Sequence, residues 1–337
     1  VSTSYSRPNA AAARRTPITQ IPLSDTPLPS LDGERHPWAG VQETVGGLRL
    51  HVRRTPGSDA AAAVYIHGLG GSSTNWTDLS ALLSPFAAGA SVDLPGFGFS
   101  EPEAGFSFTM DAHADVVVKY LEQLVKESGT GSVHLLGNSM GGAIALLTAA
   151  RRPDLVRTLT LISPAMPDRR PDPRRMSDPM MALAYLPFVG RGVRRRMASM
   201  GPRERAMQVI RLCFAEPEAF TESRLTDLSE EHSARAGLTW AAPALARSTF
   251  AIFRAWGARG SASLWRTAST VTVPTLVVWG IHDRVISVRR AARTARTLPH
   301  GRLLVLPRTG HVAQMERPIA VAKAVLGMWE TVETGTW

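Results

Sequence analysis

The sequence predicts an α/β fold: one mostly parallel, eight-stranded sheet with helices on both faces and an inserted helical cap. Three observations carry this. Strand and helix patterns alternate from Val41 to Ile162 and again from Thr275 onward, as they do where parallel strands are joined by crossover helices. Between Ser163 and about Thr270 the alternation gives way to helix-prone, Arg-rich segments broken by Pro. Finally, Gly137-Asn138-Ser139-Met140-Gly141 sits at the junction of a strand pattern and a helix pattern.

The elements follow in order. Residues 1 to 40 are rich in Pro, Ser, Thr and Ala without periodicity, so they read as an extended arm that either wraps the domain or is disordered. Two strand patterns flank Gly46-Gly47, a hairpin signal. Then come a strand at 61–66, a helix at about 74–86, a strand at 90–93, a helix at about 109–127, a strand at 132–137, a helix at 140–151 and a strand at 158–162. After the insertion the patterns give a strand over Thr275–Gly280, a helix from Val288 to about Leu298, a strand over Arg302–Leu306 and a last helix. The domain reading is therefore an arm (1–40), a core (41–166 and 269–337) and a cap (167–268).

The pentapeptide is where chemistry is expected. A serine on a strand-to-helix turn is held in a strained, exposed position, and the turn is tight enough that the residues two before and two after must be small. Both are Gly here. A serine hydroxyl is a weak nucleophile until a base takes its proton, and the base needs an orienting acid. Behind a turn of this kind they follow in the order serine, acid, histidine. Asp283 comes three residues after the strand ending at Gly280, and His311 follows the strand ending at Leu306 through Pro307 and Gly310. Both lie on loops after strands, where reactive groups are held. The rival acid is Asp168, after the strand ending near Ile162. The turn His67-Gly68-Leu69-Gly70-Gly71 follows another strand, so the Leu69 and Met140 amides are the expected oxyanion donors. Gly68 and Asn138 are the expected substrate-contacting residues, Asn138 being equally readable as a turn residue. His67 reads as a brace for its loop, His282 as a loop residue, and His134 and His113 as packed.

Two further segments complete the picture. Asp93-Leu94-Pro95-Gly96-Phe97-Gly98-Phe99-Ser100 is similar to the D-x-P-G-x-G-x-S run, and Gly310-His311 with Glu316-Arg317-Pro318 is similar to the G-H-x(4)-E-x-P run, of the α/β-hydrolase superfamily. Over roughly residues 41 to 330 the chain resembles that superfamily, and its serine esterases and lipases in particular. The resemblance implies a serine hydrolase that cleaves carboxylic esters through an acyl-enzyme on Ser139. One departure is Ser287, where many relatives carry Pro after the acid. Haloalkane dehalogenases and epoxide hydrolases of this fold place Asp at the elbow, where this chain has Ser139. Hydrolases that split carbon–carbon bonds of ring-cleavage products are also similar, but usually carry Trp after the histidine, where this chain has Val312, and a different oxyanion turn. Thioesterase or acyl-transfer activity uses the same machinery. A non-catalytic ligand-binding relative is the alternative from another class, and such proteins usually lack a triad member or an oxyanion glycine.

Composition sets the remaining bounds. With 337 residues, 44% of them hydrophobic, the chain can bury a full core. No run of 18 or more apolar residues is present, so no transmembrane helix is expected. Ala10–Ala13 runs directly into Arg14-Arg15, which is not a secretory signal, and a cytoplasmic location is the default expectation. The formal charge is +10 and all but three of the 38 basic residues are Arg. They are scattered, without the aromatic interleaving of a nucleic-acid surface, so no nucleic-acid partner is expected. No metal-ligand spacing and no dinucleotide motif occurs, so neither a metal nor a cofactor is expected. Residues 167–268 hold 17 Arg against 10 acidic residues. Two readings of that charge compete: a solvated helical surface, or an anionic-membrane or acidic-substrate contact through Met180–Val189 and the adjoining Arg191–Arg196.

Overall fold

The computed structural model describes residues 19–168 and 200–337. The Met180–Val189 stretch and the Arg191–Arg196 cluster lie outside them. Eight strands form one sheet: β1 (Gly40–Val45), β2 (Leu48–Thr55), β3 (Ala62–Ile66), β4 (Ala88–Val92), β5 (Val133–Asn138), β6 (Val156–Ile162), β7 (Thr275–Gly280) and β8 (Gly301–Leu306), in the order β1-β2-β4-β3-β5-β6-β7-β8. β2 is antiparallel to β1 and β4, and every other pairing is parallel. A parallel sheet must be covered on both faces, and the side chains alternate accordingly. Val64, Ile66, Leu135, Val277 and Trp279 enter one buried cluster, with α2 (Met110–Ser128) and α3 (Met140–Arg151). Ala63, Tyr65, Leu136, Leu276 and Val278 enter the other, with α1 (Thr77–Leu83).

The helix expected over about 74–86 is shorter. Ser72 caps a single 3-10 turn, Ser73–Trp76, in a reciprocal capping box with Asn75, and α1 starts only at Thr77. Two residues past its end, Pro85 has no N–H with which to continue the ladder. Between β6 and β7 the described residues form α4 (Pro202–Cys213), α5 (Glu222–Arg235), α6 (Ala241–Gly257) and the short α7 (Leu264–Ala268). After β7 come α8 (Ala291–Thr297), α9 (Ala313–Glu316) and α10 (Pro318–Glu333). None of the described helices is long and apolar enough to cross a membrane.

From residue 19 the arm is extended and tied down. Ser24 N–H donates to the Lys323 carbonyl at 3.0 Å, and the Ser24 and Thr26 hydroxyls both donate to Glu330. Gly327 permits the contact, since a Cβ there would sit 2.5 Å from the Pro22 oxygen. Further on, His36 meets Asp227 on α5 at 2.7 Å.

The inserted helices rest on the loops at the carboxyl ends of several strands. Glu231 of α5 accepts from Thr74 at 2.7 Å, and Trp256 of α6 donates to the Ala165 carbonyl at 2.9 Å. Leu245 of α6 approaches Gly70, and Ala244 approaches Gly96. In open parallel sheets, ligands are taken up at this end of the strands.

Candidate active site

Ser139 occupies the junction of β5 and α3 with φ 55° and ψ −118°, a left-handed conformation costly for a residue with a Cβ. Its neighbours hold it there. A Cβ on Gly137 would meet the Gly141 carbonyl at 2.4 Å, and one on Gly141 would meet the Ile66 and His67 carbonyls at 2.3 Å. The Ser139 N–H donates to the Ile162 carbonyl at 2.9 Å, and the Ser139 carbonyl accepts from Ala165 at 2.9 Å. The strain is thus fixed by backbone contacts on both sides, and the residue is 8% exposed.

The acid and the histidine are joined directly. His311 Nδ1 donates to Asp283 Oδ2 at 2.9 Å, with both residues buried. The other carboxylate oxygen of Asp283 accepts the Val285 and Ile286 amides at 2.8 and 2.9 Å. Trp279 donates to the Ile286 carbonyl at 3.0 Å and fixes the same loop to β7. Ser287 has φ −58°, the value a proline would impose, so the loop keeps its course without one. The rival acid points elsewhere: Asp168 is buried and paired with Arg289 (3.0 Å) and Arg290. Among the described residues no hydrogen bond joins the Ser139 hydroxyl to the His311 ring. Such bonds are often long before substrate binds.

The turn after β3 lies against the serine. A Cβ on Gly68 would stand 3.0 Å from Ser139 Cβ and 3.1 Å from Asn138 Oδ1. Gly71 N–H donates back to the Gly68 carbonyl at 3.1 Å, closing a tight loop over Leu69 and Gly70. His67 sets this turn through one tautomer. Leu94 N–H donates to His67 Nε2 at 3.0 Å, so the proton sits on Nδ1, which donates to the Gly68 carbonyl at 2.7 Å. Burial depresses the His67 pKa, which the Asp93 charge only partly offsets, and the ring is neutral. Met140 opens α3, so its amide has no acceptor within the helix, and the positive end of the helix dipole faces the serine.

Asn138 is a brace: its amide nitrogen donates to the Ile162 and His311 carbonyls, each at 3.1 Å. His134 stacks on Trp329 at 4.0 Å and bonds Thr158, and burial lowers its pKa to about 3. His113 is buried among Phe97, Phe106 and Phe108, its pKa likewise lowered to about 3 by burial. His282 is exposed on the acid loop.

One hub was not legible as such in the sequence. Asp93 accepts from the Ser73 amide at 2.6 Å, the Phe99 amide at 3.0 Å and His51 Nδ1 at 2.7 Å. Burial alone would raise its pKa. The His51 hydrogen bond, the interactions with the His67 and His51 rings and the Phe99 amide together outweigh this and hold the carboxyl below the usual range. Gly98 makes room, since a Cβ there would lie 2.0 Å from the carboxylate. Asp93 therefore anchors the segment that follows the Gly68 turn to β2 and β4. The D-x-P-G-x-G-x-S run displays the residue, but not the partners it gathers from distant strands. Among the described residues no three His, Cys, Asp or Glu side chains are grouped as a metal site.

The chain as a whole is similar to known proteins. The chain is 28% identical over 274 residues to the dihydrolipoyllysine-residue acetyltransferase component of the acetoin cleaving system from Cupriavidus necator, a match covering 81% of this chain but only 64% of that protein's length. It is 27% identical over 294 residues to the 2-hydroxy-6-oxononadienedioate/2-hydroxy-6-oxononatrienedioate hydrolase of Cupriavidus pinatubonensis, covering 83% of this chain and 90% of that one. Among solved structures, a thermophilic esterase from Thermogutta terrifontis superposes with a TM-score of 0.64 at 23% identity, over 87% of this chain and 99% of that one. Residues 64–318 match the family described by the alpha/beta hydrolase fold, and the chain belongs to that family.

Proposed function

We propose that the chain is a serine hydrolase that cleaves carboxylic esters through an acyl-enzyme on Ser139. The observation behind this reading is the strained serine held between a Gly-rich turn and the first amide of α3, with its neighbour Asn138 bonded to the carbonyl of His311, a buried histidine oriented by Asp283. Asp283 Oδ2 holds the proton on His311 Nδ1, which leaves Nε2 free to take the Ser139 proton. Ser139 Oγ then bonds the acyl carbon while the Leu69 and Met140 amides receive the oxyanion. The carbonyl reforms, the alkoxide leaves with the proton from His311, and the acyl group stays on Ser139. Water, deprotonated by the same imidazole, attacks that carbon and releases the acid and free Ser139.

The test is hydrolysis of p-nitrophenyl esters from two to sixteen carbons, with Ser139→Ala as control and alkyl fluorophosphonate labelling in parallel. Turnover that peaks at one acyl length and drops about 10⁴–10⁶-fold in the variant is the expected result. Near-normal turnover in Ser139→Ala would overturn the mechanism. A second reading is favoured by the relative matched over 90% of its length: hydrolysis of a carbon–carbon bond by the same residues. It would be recognised by a labelled Ser139 with no ester turnover and activity on a vinylogous diketone. Thioesters belong in the same panel.

A further inference from the structure

Glu316 lies outside the proposed reaction and five residues beyond His311, yet its carboxylate is buried at the point where the insertion meets the histidine loop. One oxygen accepts the Gly310 amide at 2.6 Å, immediately before His311. The other accepts the Ala215 and Glu216 amides, both at 2.9 Å, just past the end of α4. Between these bonds the His311 amide donates to the Cys213 carbonyl at 2.6 Å. Gly310 permits the approach, because a Cβ there would stand 2.2 Å from that same carbonyl. The apolar packing runs the same way: Val312 shares a buried cluster with Ile210 and Phe214 of the α4 region and Leu225 of α5.

An ionised carboxylate only accepts hydrogen bonds, and three amides converge on this one. The residues beside His311 and the segment closing α4 are therefore fastened to a single side chain. Asp283 sets the tautomer and tilt of the imidazole, but nothing in that bond fixes where the histidine backbone stands relative to the inserted helices.

We infer that Glu316 is a positioning residue for His311: it seats the histidine loop on the insertion, so that the packing of α4 sets the reach of the imidazole toward Ser139. This rests on the reading of Ser139 and His311 as nucleophile and base. A displacement of about 1 Å at a reacting group can cost about a hundredfold in rate, so this seat governs the chemical step more than binding.

The experiment is the kinetics of Ser139 labelling by an alkyl fluorophosphonate, resolved into the limiting rate and the half-saturating probe concentration. It compares wild type, Glu316→Gln and Arg224→Gln. Arg224 joins α5 to Asp78 and the Asp32 carbonyl, a seam between insertion and core with no contact to His311. The expected result is a limiting rate lowered about ten- to a hundredfold in Glu316→Gln, with half-saturation within about twofold, while Arg224→Gln labels at the wild-type rate even where its melting temperature drops as far. Should Glu316→Gln fail to fold, Glu316→Asp keeps the charge one methylene short and must show the same split. Labelling of the Glu316 variant at the wild-type rate, or an equal loss in Arg224→Gln, overturns the positioning role and leaves the proposed function standing. A wild type that the probe does not label removes both.

Discussion

Asp283 divides its carboxylate between two tasks: Oδ2 meets His311 Nδ1 at 2.9 Å, and Oδ1 holds the Val285 and Ile286 amides at 2.8 and 2.9 Å. In Asp283→Asn the new carbonyl can keep both amides, which places the new NH₂ against His311 Nδ1. The imidazole must then carry its proton on Nε2 and cannot accept one from Ser139. Turnover is expected to fall about 10⁴-fold with the melting temperature nearly unchanged. Asp168→Asn should do the reverse. Its carboxylate is engaged by Arg289 and Arg290, so stability drops while kcat stays within about threefold. Steady-state kinetics and thermal melts on the two variants decide between the acids, and a larger kcat loss in Asp168→Asn would assign the role to Asp168.

A methyl group at residue 68 would press on the serine itself, 3.0 Å from Ser139 Cβ. Gly68→Ala is expected to displace the Leu69 amide from the oxyanion position and to cost about 10²–10³-fold in kcat. The melt should move little, because contacts of 3.0 and 3.1 Å ask the neighbouring side chains to give by only a few tenths of an ångström. Equal activity in Gly68→Ala and wild type would mean that the turn does not serve the transition state.

The elbow glycines answer to stability. A Cβ at residue 141 would meet two backbone oxygens at 2.3 Å, whereas one at Gly237 meets nothing within 4 Å. Gly141→Ala should lose about 1–3 kcal/mol by the cost of overpacking, and Gly237→Ala should melt with the wild type. Denaturant unfolding of the two variants reads the difference directly.

His113 and His134 make the fold sensitive to acid. Burial lowers each pKa from 6.5 to about 3. Between those values the folded chain keeps both rings neutral while the unfolded chain protonates them. The unfolded state then binds more protons, so stability rises with pH across this window and is lost on acidification, with no contribution above about pH 6.5. His113→Leu should remove about one proton from the slope of unfolding free energy against pH between 6.5 and 4. An unchanged slope would mean that His113 is already protonated in the native state.

How much of this the sequence disclosed depends on range. The helix over 140–151 and the strand over Thr275–Gly280 end where the patterns end, since Gly, Pro and apolar periodicity act within a few residues. The Ser–Asp–His order was readable because each residue follows a strand pattern. The helix near residue 74 was overextended because apolar spacing does not distinguish a 3-10 turn from an α turn. The task of Glu316 was not readable at all: two of its three amide donors lie about a hundred residues upstream, and no local pattern encodes that meeting. His51 and Asp93, 42 residues apart in sequence, are the same case.

The strain at Ser139 belongs to the backbone. Gly137, Gly141 and the bonds to Ile162 and Ala165 hold the turn, and none of them uses the hydroxyl. The identity of the proposed nucleophile is thus uncoupled from the architecture that presents it. A thiol or a carboxylate installed by a single substitution would inherit the same strand-to-helix turn. Changes of chemistry at this one position should be structurally cheap, and the barrier to new reactivity should lie in the surroundings that must accommodate a different leaving group.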